Sequence, residues 1–85
     1  MEDRRILLYP IHSEKTSIAM EKENKLEFKV PIDATKKEIK EAVEKKYGVK
    51  VAKINTKIDK NGKRALVKLA YPYKAEEIGM KIGVM

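Results

Sequence analysis

Eighty-five residues allow one domain, and a folded chain of this size hides only about 60–65% of the surface its unfolded form exposes. Lys and Arg number 20 against 13 Asp and Glu, a formal net charge of +7, while a hydrophobic fraction of 42% suits a small packed core and excludes a wholly disordered basic tail. With no cysteine, no apolar run near the roughly 20 residues of a membrane span, and no apolar core behind Met1-Glu2-Asp3-Arg4-Arg5, the expectation is a soluble cytosolic domain over residues 1–85, without disulfides, cysteine metal sites, membrane insertion or a signal peptide.

Ile6-Leu7-Leu8-Tyr9 is a short apolar run halted by Pro10 and reads as a buried first strand. Ser13 is placed to cap a following helix, with Glu14 in its first turn where the helix dipole favours an acid. Ile18 and Ala19 supply only a thin apolar stripe, so this helix should be short and end near Lys22–Asn24. Leu26-Glu27-Phe28-Lys29-Val30 alternates, with Leu26, Phe28 and Val30 inward, as a half-buried strand requires. Thr35-Lys36-Lys37-Glu38 has the spacing of a capping box, Ile39, Ala42, Val43 and Lys46 or Tyr47 follow at helical spacing, and Gly48 ends the helix. From Val49 to Ile58 the chain turns to β structure, but Val49 and Val51 are out of phase with Ala52, Ile54, Thr56 and Ile58. A bulge near Val51–Ala52, or a strand end buried on both faces, reconciles them. Asp59-Lys60-Asn61-Gly62 is a turn in which Asn and Gly accept positive φ, Ala65, Val67 and Leu69 alternate on the return strand, and after Pro72 a last helix takes Ala75 to Ile82. The order β-α-β-α-β-β-(α) predicts an α+β sandwich, with a largely antiparallel four-stranded sheet covered by helices on one or both faces.

The charge is unevenly placed. Lys45, Lys46, Lys50, Lys53, Lys57, Lys60, Lys63, Arg64, Lys68 and Lys74 crowd one stretch whose only acid is Asp59, giving it +9, while the remaining residues carry −2. A segregated cationic segment marks a polyanion partner. The competing explanation, a lysine surface adapted to heat, would scatter acids among the lysines as residues 14–44 do.

Catalytic chemistry finds little support. His12 is the only histidine and has no cysteine near it, so no metal site is expected. Ser13 beside it is explained by capping, because adjacent residues rarely bring their side chains into hydrogen-bond contact. The glycines at 48, 62, 79 and 83 fit no phosphate loop, and Glu38, Glu41 and Glu44 fit helix-surface ion pairs. The polar residues inside the basic stretch are more informative. Asn55 and Thr56 can bond phosphate or sugar oxygens beside Lys53 and Lys57. Tyr71 and Tyr73 flank Pro72 next to Lys74, where a ring can stack on a base, although packing of at least one of them in the core is expected. One Phe and no Trp leave the chain without the aromatic sheet surface of a sequence-reading single-strand binder, so backbone and shape recognition of a folded RNA fits better.

Four segments are similar in order and spacing to one family. Pro10-Ile11-His12-Ser13-Glu14-Lys15-Thr16-Ser17 resembles the Pro-x-x-Ser-Glu-Lys-x signature of the large-subunit ribosomal protein L-twenty-three family. The stretch from Ala34-Thr35-Lys36 to Ala42-Val43-Glu44 resembles its Ala-Thr-Lys-x-x-Ile-Lys-x-Ala-Val-Glu helix. Val49-Lys50-Val51 through Ile54-Asn55-Thr56 is similar to its Val-x-Val-x-x-Val-Asn-Thr strand, and Lys63-Arg64-Ala65-Leu66-Val67-Lys68-Leu69 to its basic return strand. The resemblance runs from about Ile6 to the C-terminus. It implies a structural protein bound to large-subunit ribosomal RNA beside the polypeptide exit tunnel, in the cytoplasm on the ribosome, with neighbouring ribosomal proteins, no cofactor and no small-molecule substrate. It also implies a docking platform for nascent-chain factors. In the bacterial branch the Glu of Ser-Glu-Lys contacts trigger factor, and Glu14 holds that position. The loop Asp59 to Arg64 is short where the bacterial branch has a tunnel-reaching extension. With the Pro72-Tyr73-Lys74-Ala75-Glu76-Glu77-Ile78-Gly79 ending, it points to the archaeal and eukaryotic branch, with the signal recognition particle as the expected visitor.

Charge clustering and motif position assign Lys36, Lys37 and Lys40, Asn55, Thr56 and Lys57, and Lys63, Arg64 and Lys68 to RNA contact, and Ser13, Glu14 and Lys15 to partner docking. Two alternatives stay open. One is a small basic α+β enzyme of the acylphosphatase kind, which would need an arginine in a Gly-rich anion loop that Arg4, Arg5 and Arg64 do not supply. The other is a free-standing RNA chaperone or regulatory RNA-binding module.

Overall fold

Alternation along two central strands divides the molecule into an apolar layer and a charged one. A computed structural model describes residues 6–82. Its elements are β1 (Tyr9–Pro10), α1 (Glu14–Glu23), β2 (Lys25–Val30), α2 (Lys36–Tyr47), β3 (Val51–Asp59), β4 (Gly62–Leu69) and α3 (Ala75–Lys81), the expected order. The strands form one antiparallel sheet in the order β1-β2-β4-β3. Leu26, Phe28 and Val30 of β2 and Ala65, Val67 and Leu69 of β4 are buried on one face. Met20 of α1, Ile39 and Val43 of α2, and Ala75 and Ile78 of α3 join them in the same core, so the helices cover that face. The opposite face carries the charged residues and is exposed or half-buried, with α1 bordering it at Glu27 and Leu66.

The caps read from the sequence form. Thr35 and Glu38 close the box on α2: the Glu38 amide donates to Thr35 Oγ1 at 3.1 Å and the Thr35 amide to Glu38 Oε1 at 3.0 Å. On α1 the Thr16 amide donates to Ser13 Oγ at 3.3 Å, and the reciprocal acceptor is Thr16 Oγ1, 2.8 Å from the Ser13 amide. Glu14 is therefore not used for capping. Gly48 ends α2 at φ +66°, the left-handed backbone that L side chains rarely adopt. The phase change in β3 is a bulge: the register shifts between Val51 and Lys53, which leaves Ala52 exposed and brings Ile54 back to the core.

Two details differ from expectation. The first strand is Tyr9–Pro10 and not the apolar run before it. Both residues are exposed, while Leu8 is buried and Ile6 packs on the core from outside the strand. Pro10 has no amide to extend the ladder, and the chain must turn into α1 by Ser13. In the β3–β4 turn only Gly62 takes a positive φ (+118°), and the Asn61 amide is held by Asp59 Oδ1 at 2.8 Å. Among the described residues the one non-glycine with positive φ is Asn24, at +57°.

Asn24 ties three elements together. It ends α1 in the left-handed conformation, which Asn tolerates better than most residues. Its Nδ2 donates to the carbonyls of Leu69 (3.2 Å) and Tyr73 (2.9 Å), and its Oδ1 accepts from the Ala75 amide at 2.6 Å. Lys74, the residue preceding α3, makes no side-chain cap, so Asn24 caps that helix from a distance in sequence. Elsewhere in the core, Tyr47 stacks on Phe28 with ring centroids 5.9 Å apart. Its buried hydroxyl has no partner among the described residues, and burial raises its pKa.

Replacing Asn24 tests this junction. Asn24→Ala should cost about 2–4 kcal/mol in a denaturant titration, from three bonds at about 1 kcal/mol each plus the left-handed backbone. Asn24→Gly keeps the backbone freedom and should recover only the smaller part. A glycine variant as stable as the wild type would refute the bonding role.

Candidate nucleic-acid interface

Register converts scattered lysines into rows. Residues directly opposite in an antiparallel pair share a face, with Cβ atoms about 4.5–5.5 Å apart. On β4, Lys68 stands opposite Lys25 of β2 on one side and Lys53 of β3 on the other. Four residues along, Arg64 stands between Lys29 and Lys57 in the same way. The two rows lie about 13 Å apart at roughly 3.3 Å per residue, with Glu27, Leu66 and Asn55 forming the row between them.

The acids on this face are few and engaged. Arg64 Nη1 lies 3.6 Å from Glu27 Oε2 and its Nε 3.7 Å from Asp59 Oδ2, so one guanidinium gathers both carboxylates. Lys25 pairs with Glu23 of α1 at 3.3 Å. Lys29, Lys53, Lys57 and Lys68 are exposed, and their ammonium groups present charge outward. Like charges set directly across from each other destabilise a sheet, and a polyanion relieves that repulsion by binding.

The residues assigned from the sequence fall into three places. Asn55, Lys57, Arg64 and Lys68 lie on the open face. Lys36, Lys37 and Lys40 project from the exposed side of α2 and border a shallow hollow of about 350 Å³ with Lys53 and the bulged end of β3, which extends the cationic surface around the sheet edge. Thr56 and Lys63 do not join them. They share the phase of Ile54, Ala65 and Val67 on the helix-covered face, and Lys63 Nζ donates to the Ala34 carbonyl at 2.6 Å.

Lys25 and Lys29 are the cations that charge clustering missed, because they lie outside the basic stretch. The alternation of β2 does turn them outward, but only the pairing of β2 with β4 brings them beside Arg64 and Lys68. The basic stretch is itself dispersed: Lys45 and Lys46 end α2, Lys46 Nζ sits 5.6 Å from the Tyr47 ring centre, Lys60 is in the hairpin turn and Lys74 precedes α3.

The three docking residues sit at the start of α1. Ser13 is occupied in the cap, while Glu14 and Lys15 are exposed. Lys15, Ile18 and Ala19 border a hollow of about 300 Å³ whose other walls include Leu26, Glu27 and Leu66, where α1 runs along the margin of β2. Among the described residues no group of three or more His, Asp or Glu could hold a metal ion, and no helix is long and apolar enough to cross a membrane. Arg64 stands on a strand between two carboxylates, not in an anion-binding loop, which leaves no site of the acylphosphatase kind around it.

Comparison with known proteins agrees with the four sequence segments. The family model described as Ribosomal protein L23 matches residues 5–77. A relative from Picrophilus torridus, named large ribosomal subunit protein uL23, is 51% identical over 92% of this chain and 95% of its own length. One of the same name from Thermoplasma acidophilum is 52% identical over 93% of this chain and 94% of its own.

The repulsion between paired lysines is measurable in the isolated protein. Lys68→Gln should raise stability at low salt by about 0.2–1 kcal/mol, since it removes the central charge of the Lys25–Lys68–Lys53 row. The gain should vanish near 1 M salt, where the screening length is about 3 Å. Loss of stability at low salt would show that the row is not strained.

Proposed function

Given that the chain belongs to the ribosomal protein L23 family, in its archaeal-like branch, a structural family of the large ribosomal subunit and not an enzymatic one, we propose that it binds large-subunit ribosomal RNA through the open sheet face and the adjoining lysines of α2. The observation that carries this reading is the pair of cation rows, in which β4 sets Lys68 between two lysines and Arg64 between two more. Such a surface is costly without a polyanion and suited to a phosphate backbone, and Asn55 in the middle row adds a side chain able to bond phosphate or sugar oxygens. The protein works on the ribosome in the cytoplasm, beside the exit tunnel and other ribosomal proteins. Its β3–β4 connection is a tight turn at Lys60–Asn61, with no extension to line the tunnel.

A second role rests on the start of α1. Glu14 is exposed and free of capping duty, because Thr16 closes the box, and the half-exposed Ile18 borders the hollow beside it. A charged residue next to apolar surface, at the edge of the cation rows where Lys25, Glu27 and Leu66 wall the same hollow, suits a protein visitor. The signal recognition particle or another nascent-chain factor is the proposed partner of Ser13, Glu14 and Lys15.

Filter binding to large-subunit ribosomal RNA tests the first role. With roughly 6–10 phosphates neutralised, affinity should fall about 10³–10⁵-fold between 50 and 200 mM salt, and a binding curve indifferent to salt would reject the sheet face as the site. For the second role, Glu14→Ala should change stability by less than about 1 kcal/mol and leave RNA affinity as it was, while reducing recruitment of the factor to ribosomes. Unchanged recruitment would remove Glu14 from the docking surface.

A further inference from the structure

The row through Arg64 does not end at Lys29. Tyr9 of β1 stands opposite Lys29, so one line across all four strands reads Tyr9, Lys29, Arg64, Lys57. We propose that Tyr9 is a stacking platform for an unpaired RNA base, and that the RNA bound on this face is a looped or bulged strand and not a continuous duplex. The proposal deepens the RNA-binding reading above and rests on it.

Several observations favour a base at this ring. Tyr9 is 58% exposed, whereas Tyr47 and Tyr73 pack against the core. Directly opposed residues share a face, so the ring lies on the cationic side of the sheet. Tyr71 is more exposed still, at 95%, but its hollow is bordered by Glu21 and Glu76 as well as by lysines, which makes it a poorer seat for a phosphate chain. In the row of Tyr9 there is no acid, and the nearest one on β2, Glu27, is drawn to Arg64. The ring also has a fixed base. Tyr9 and Pro10 are both in the ladder, and the Ile11 amide donates to the Glu27 carbonyl at 3.0 Å, so little backbone ordering is left to occur on binding.

The dimensions agree. Strands about 4.8 Å apart put Lys29, Arg64 and Lys57 about 5, 10 and 14 Å from Tyr9 along the row. A base lying on the ring leaves its flanking phosphates over the cations. A base inside a duplex has both faces in the stack and cannot lie on a side chain, hence the requirement for an unpaired one. Stacking is tolerant of base identity, so the ring selects strandedness and not sequence.

The chain contains no tryptophan, which makes Tyr9→Trp a single fluorescent reporter. Three probes are compared: a short unstructured RNA of mixed sequence, a fully paired RNA of the same length, and inorganic polyphosphate. The expected result is quenching of the introduced indole's emission by the unpaired RNA and not by the paired RNA or polyphosphate. Tyr9→Ala should bind the unpaired RNA about 5- to 150-fold more weakly, with the same salt slope and the same affinity for polyphosphate. Thermal melts of both variants verify the fold, which an exposed edge residue should not disturb. Equal affinity of Tyr9→Ala and wild type, or equal quenching by polyphosphate, overturns the stacking role while leaving the cationic face intact. If Tyr9→Ala keeps its RNA affinity but is lost from large subunits, the ring meets a neighbouring protein and the proposal fails. If the wild type binds none of the three probes, the sheet-face reading falls and this one with it.

Discussion

The registration of β4 between β2 and β3 is the constraint on which the rest depends. Side chains alternate with a period of two, so a slip of one residue would turn Ala65, Val67 and Leu69 to solvent and drive Arg64 and Lys68 into the core. The hydrophobic requirement for the first set therefore holds the second in place. Phe28 and Val67 are fully buried on the inner face, and the backbone pairing that buries them also sets lysine against lysine on the outer face. Core packing carries the cost of that electrostatic arrangement.

One-sided coverage follows from the same alternation. The helices pack where the apolar side chains point, and their caps leave few free groups at the ends. Asn24 extends this order into the C-terminal part of the chain by holding the Leu69 and Tyr73 carbonyls and the first amide of α3. The result is a molecule with adjoining surfaces: cation rows on the outer sheet face, α2 lysines around one edge, and α1 along the other margin, where Lys15 and Ile18 share a hollow with Lys25, Glu27 and Leu66.

Much of the fold was legible because its signals are local. Thr35 and Glu38 lie three residues apart and form the cap their spacing implies, Leu26, Phe28 and Val30 alternate inward, and the phase change at Val51–Ala52 is the bulge it suggested. Asn24 was not legible as a junction, because its partners lie 45 to 51 residues away. Turn composition admitted Asn61 and Gly62 alike to the left-handed region, yet only Gly62 took a positive φ. Tyr9 belonged by hydropathy to a buried strand, but a two-residue edge strand leaves it in solvent.

The net charge of +7 and its concentration between Lys45 and Lys74 were properties of the chain alone, as were the element order and the family likeness. They determined a cationic α+β domain and pointed to a polyanion partner. The tertiary structure decided which cations stand side by side. It set aside Lys63, whose ammonium is held by the Ala34 carbonyl, dispersed Lys60 and Lys74, and brought in Lys25 and Lys29 from outside the basic stretch. The reason is that alternation along a strand is local, whereas the neighbour across the sheet is chosen by hydrogen bonds between segments far apart in sequence. A linear count of charge cannot contain that choice.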